Sequence, residues 1–234
     1  MSVLEICWEH YTQKMWSLST STAAEHLAAT FIRPLASCEP GKRPRVCVAE
    51  FGLARAHVRE TVVLKFAWNE RERKRLDHEF ALYSQELLPL QGRVVPTIFG
   101  YFNGHESGQH CSVLVMEYCS GGPARCINFR RPDIQAILAQ IQNSHVNVYE
   151  LLDEAHYVLT GEGEIRVIGF AKAQTGKQSS NAYPTSSNTS LTERSSRSVH
   201  NDKLGPGYWH AARHIGGMPV NAARARFQQY AAPF

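Results

Sequence analysis

Lys65 sits in Val62-Val63-Leu64-Lys65-Phe66-Ala67, an apolar, β-branched run that predicts a strand. A lysine on such a strand is costly to bury unless a carboxylate pairs with it. A second set of reactive side-chain types, Glu150, Asp153, Glu154 and His156, gathers just before a predicted hairpin. Carboxylates in such a loop can orient a nucleophile or hold a metal, and a histidine can ligate one. The plainer readings stand beside these: a solvated acidic loop, and a histidine that is structural or exposed.

The elements that must position these groups follow from pattern. Tyr157-Val158-Leu159, the turn Gly161-Glu162-Gly163 and Ile165-Arg166-Val167-Ile168 predict strand, turn, strand. Residues 45–51 and 61–68 alternate as two strands of an antiparallel meander. Residues 70–88 form the strongest predicted helix, with Leu76, Phe80, Tyr83 and Leu87 recurring at three or four, and Pro89 ends it. A strand over 94–102, a glycine-containing turn over 103–109 and a buried strand over 112–116 come next. A second helix, over 134–142, places Ile134, Ile137, Leu138 and Ile141 on one face.

Composition bounds the function classes. With 234 residues, 43% hydrophobic and 20% charged, the chain can bury a core. A net charge of +4 reads as a solvated surface, so no nucleic acid is expected as a partner. Cys7, Cys38, Cys47, Cys111, Cys119 and Cys126 form no Cys-x-x-Cys pair, which predicts free thiols and no zinc knuckle. No stretch approaches the length of a bilayer span and the first residues lack a secretory pattern, so an intracellular protein without membrane association is expected.

Several segments, in order, resemble protein kinases, and in particular fungal protein-kinase-like domains. The Lys65 run resembles the family's third strand, and His78-Glu79-Phe80-Ala81-Leu82-Tyr83 looks like the helix that follows it. Residues 87–96, LLPLQGRVVP, are very similar to the segment those domains carry next. Val113-Leu114-Val115-Met116-Glu117-Tyr118-Cys119 resembles the fifth strand and hinge, and residues 149–173 resemble the catalytic segment. The resemblance covers roughly residues 45–173. It implies an α+β, bilobal protein-kinase-like fold: an antiparallel-sheet small lobe with one helix packed on it, and an abbreviated large lobe.

The domain plan that follows is an N-terminal segment (1–24, a docking helix or tail), a small lobe and hinge (25–119), and a reduced large lobe with the hairpin (120–174). A Ser/Thr-rich linker (175–200), expected to be disordered, and a C-terminal tail (201–234) complete it. The resemblance also implies a Lys65–Glu79 ion pair, with Lys65 reaching nucleotide phosphates, Met116 as gatekeeper, and Glu117, Tyr118 and Cys119 offering backbone groups to an adenine.

The positions for chemistry are altered. Leu151 stands where the family has its catalytic base, His156 where it has a metal-binding asparagine, and Gly169 where it has the metal-binding aspartate. No metal site and no catalytic residue are therefore expected. The resemblance implies a pseudokinase, a degenerate domain acting by binding a protein partner, with ATP as the candidate cofactor. The alternatives are an atypical ATP-dependent kinase using Glu150 or His156, and a divergent product without activity.

Overall fold

The computed structural model describes residues 2–17, 25–35, 43–57, 59–106 and 108–176. The expected linker and tail thus lie outside the described residues apart from Thr175 and Gly176. Seven strands close into a barrel: β1 (Val3–Cys7), β2 (Thr12–Ser17), β3 (His26–Pro34), β4 (Val46–Leu53), β5 (Glu60–Ala67), β6 (Ile98–Glu106) and β7 (Gln109–Glu117), in the order β1-β2-β6-β7-β5-β4-β3. All neighbours are antiparallel except β1 and β3, which run parallel from Val3 opposite His26 to Cys7 opposite Thr30. Register shifts between Phe31 and Arg33 and between Ile98 and Gly100 bend β3 and β6, as closure demands.

The period of two turns alternate residues of each strand into the barrel, and in β4 to β7 it turns others onto a second core. Leu4, Ile6, Met15, Leu27, Ala29, Phe51, Val62, Leu64, Phe66, Phe102, Val113 and Val115 fill the barrel. Trp8, packed among Tyr11, Phe31, Phe66 and Trp68, covers one end of that filling. On the outer face, Val48, Val63, Leu114 and Met116 build a second core with the two helices and the hairpin.

Helix α1 (Glu70–Ser84) begins where Asn69 Oδ1 accepts from the Glu72 amide at 3.0 Å, while Glu72 reaches back to the Trp68 amide at 3.0 Å. The two ends of this reciprocal cap satisfy donors that the first turn leaves open. The helix stops earlier than predicted: Gln91 Nε2 donates to the Tyr83 carbonyl at 2.9 Å, and a short 3-10 turn at Leu88–Leu90 carries Pro89. Helix α2 (Pro132–Asn143) buries Ile134, Leu138 and Ile141. A three-stranded sheet of β8 (Gly122–Pro123), β9 (Tyr157–Leu159) and β10 (Ile165–Val167) contains the predicted hairpin.

This architecture overturns the expected one. The α+β, bilobal kinase-like fold with an antiparallel-sheet small lobe is replaced by a closed, mixed seven-stranded barrel with two α-helices among the described residues. The description of the chain as having a kinase fold falls with it. The physical reason lies in residues 3–17: instead of a docking helix or a tail, they form a hairpin that pairs with β3 on one side and β6 on the other. The two strand edges a sheet would leave open are thereby joined. No helix among the described residues is long and apolar enough to cross a membrane.

Candidate functional site

Lys65 alternates with the barrel-filling Leu64 and Phe66 and so projects from the outer face of β5 toward α1. Its Nζ lies 2.6 Å from Glu79 Oε2. The glutamate side chain is 1% exposed and the lysine side chain 29%, so the carboxylate is enclosed while the ammonium keeps a route to water. Glu79 shares the buried face of α1 with Leu76, Leu82 and Tyr83. Its Oε1 is buried without a hydrogen-bond partner among the described residues, and the Tyr83 hydroxyl is buried beside the Gly169 backbone. Burial above all, and then the Glu79 carboxylate, holds the Tyr83 phenol well above its usual range. The Tyr83 ring meets Phe170 edge to face at 5.4 Å, which ties α1 to the end of the hairpin.

The residues expected at a hinge are occupied with packing and pairing. Met116 is buried in the outer-face core. Glu117 Oε2 accepts from the Thr97 amide at 2.9 Å, and the Glu117 amide donates to the Thr97 carbonyl at 2.9 Å. The Tyr118 hydroxyl accepts from Arg33 Nη2 at 3.1 Å. Cys119 is buried, and that burial, with the neighbouring Glu117 charge, pushes its thiol up to about 12.

The three altered positions are placed as follows. Leu151 is 1% exposed and packs in the same core as Tyr157, Phe170 and Tyr83. His156 donates from Nδ1 to the Ile168 carbonyl at 2.8 Å. Gly169 has φ +86°, and a Cβ there would stand 2.7 Å from His156 Nδ1. His156 and Gly169 are therefore in contact, and the histidine ring fills the room a side chain at 169 would take. Of the two acids beside them, Asp153 Oδ1 accepts from the Ala155 amide at 3.0 Å and Glu154 Oε2 from the Cys126 amide at 3.2 Å. Each holds the local backbone.

Arg166 was not foreseen. It is 2% exposed and donates to the Gly92 and Arg93 carbonyls at 2.8 Å each and to Glu164 Oε2 at 2.9 Å. Its Nε lies 3.7 Å from Glu117 Oε1. One guanidinium thus clasps β10 to the loop after α1 and to the end of β7. Five fixed donors suit such a cluster of carbonyls, as a lysine would not. The only sequence signal for it is an arginine inside a short apolar strand. Along α1, His78, Ala81, Leu82, Gln85, Lys172 and Thr175 border a cleft of about 510 Å³, at which His78 Nε2 donates to the Ala173 carbonyl at 2.6 Å.

Compared with known proteins, the chain matches no family model and no curated protein.

Proposed function

We propose that this chain is a binding module without phosphoryl-transfer activity, and that its partner is a protein. The observation that carries this reading is the use made of the polar groups around the candidate site. Asp153 caps a turn at the Ala155 amide, Glu154 accepts from the Cys126 amide, and His156 bonds the Ile168 carbonyl. Phosphoryl transfer relies on carboxylates turned toward metal and nucleophile, whereas Asp153 and Glu154 are turned toward the chain's own backbone. A protein partner is supported by the two side chains flanking the buried Leu151: Tyr149 and Leu152 are 69% and 50% exposed. Apolar surface of this kind favours another protein over a charged phosphate group.

The test is incubation of the full chain with labelled ATP and magnesium or manganese, alongside melting curves under the same conditions. The expected outcome is no transferred phosphate and no metal-dependent rise in melting temperature, because a ligand that binds the folded state must stabilise it. A metal-dependent rise that disappears in Lys65→Met, accompanied by labelled product, overturns the reading.

A further inference from the structure

The hairpin formed by β6 and β7 carries two histidines in register near its tip, one pair beyond the buried Gly104 and Cys111. His105 lies directly opposite His110, one pair before the closing pair Glu106 and Gln109, and Gly108 makes the turn with φ +79°. Both rings are exposed, their centroids are 4.0 Å apart, and their Nε2 atoms face each other at 3.2 Å. With no metal, one ring donates its Nε2 proton to the other, which accounts for the contact as a plain hydrogen bond.

The same separation has a second meaning. Imidazole nitrogens ligate zinc at about 2.0–2.1 Å, so two of them 3.2 Å apart subtend about 100° at a shared ion, between octahedral and tetrahedral angles. We propose that His105 and His110 form a two-imidazole clip for a first-row divalent transition metal such as zinc, nickel or copper. Nitrogen donors select these ions over magnesium and calcium, which prefer oxygen. The strands hold both rings on one side of the hairpin at a fixed spacing, so little ordering remains to be done when the ion arrives.

The surroundings define what the clip offers. Glu70, at the start of α1, has its carboxylate held by Arg73 through two contacts of 2.9 Å, and that pairing above all, with His110 contributing least, lowers its pKa. Glu106 pairs with Arg43 at 3.1 Å. Among the described residues no group of three or more His, Cys, Asp or Glu is arranged around one ion. The described residues therefore supply two ligands, and the remaining coordination positions are left to water or to a further donor.

Calorimetric titration of zinc into the full chain, and into His105→Gln and His110→Gln, tests the clip. The other histidines, including His200, His210 and His214, are left in place so that their contribution is common to all three proteins. The expected result is a saturable event in the wild type that weakens by about tenfold or more in each variant, the scale on which metal-site groups act. Copper provides an independent readout: its electron paramagnetic resonance should show one imidazole nitrogen fewer in each single variant than in the wild type. Equal zinc affinity and equal nitrogen count in all three proteins would overturn the proposal, as would no saturable binding by the wild type at about 1 mM metal.

Discussion

Replacing Lys65 by Met leaves the Glu79 carboxylate enclosed and without its cation, whereas replacing Glu79 by Leu leaves a lysine whose side chain is 29% exposed. Removing one member of a buried pair costs about 3–5 kcal/mol when the survivor cannot reach water. Lys65→Met is therefore expected to cost about that much and Glu79→Leu clearly less, with the double variant recovering most of the loss. Urea unfolding of the four proteins in a double-mutant cycle measures this, and equal costs for the two single variants would contradict it. The need of Lys65 for a carboxylate was legible because a lysine on an apolar strand calls for one, while the choice of Glu79 rested on the resemblance of residues 78–83 to the kinase helix. Arg166 was not, because an arginine within Ile165-Arg166-Val167 alternates in the same way whether it faces water or a cage of carbonyls. His105 and His110 were hidden for another reason. His105 lies in the run read as a turn and His110 just beyond it, and their meeting depends on a register that single residues do not reveal.

Among the elements, β1 and β2 were the ones the sequence concealed, and for β2 burial explains why. In β2 the buried positions are Gln13, Met15 and Ser17, while Trp16 is 41% exposed. The polarity is nearly inverted relative to an ordinary half-buried strand, so the alternation gives no sign of it. Gln13 belongs inside because its Nε2 donates to Cys111 Sγ at 3.0 Å and its Oε1 accepts from Trp8 Nε1 at 3.3 Å. By contrast β5, α2 and the β9–β10 hairpin were readable, since each has an ordinary apolar face set by its own period. If β1 is a structural stave of the barrel, Ile6→Ala should cost about 2–5 kcal/mol, the range for deleting a buried aliphatic group. A loosely docked segment would lose close to nothing. A fall in the urea midpoint at unchanged slope distinguishes the two.

For the molecule as a whole, the thiols give a stability that depends on pH. Burial pushes Cys47 up to about 12 and Cys111 up to about 11, and burial together with Glu117 pushes Cys119 up to about 12, each from an ordinary value of 9.0. Between the ordinary and the raised values the folded chain holds more protons than the unfolded chain, so stability falls as pH rises. It is fully present below about 9 and lost progressively toward 12. Melting temperatures measured across this range should therefore decline from about pH 9 upward; a flat profile would mean that these thiols are not enclosed. Thiol-reagent labelling of the native protein near neutral pH offers a parallel check, with the exposed Cys126 reacting well before the three buried cysteines.

The closed strand order also constrains how the barrel arises during synthesis. β1 finds a parallel neighbour in β3 early, but β2 has only β1 to pair with until β6 is made, and β5 must wait for β7. No ring can exist on the ribosome until Glu117 has emerged. Until then the growing chain presents two bare strand edges and an apolar interior side to everything around it. Such non-local closure is slow and exposed to aggregation. The N-terminal hairpin is thus the first part of the barrel to be made and among the last to be sealed, which makes its release from the ribosome the interval in which a chaperone would matter most.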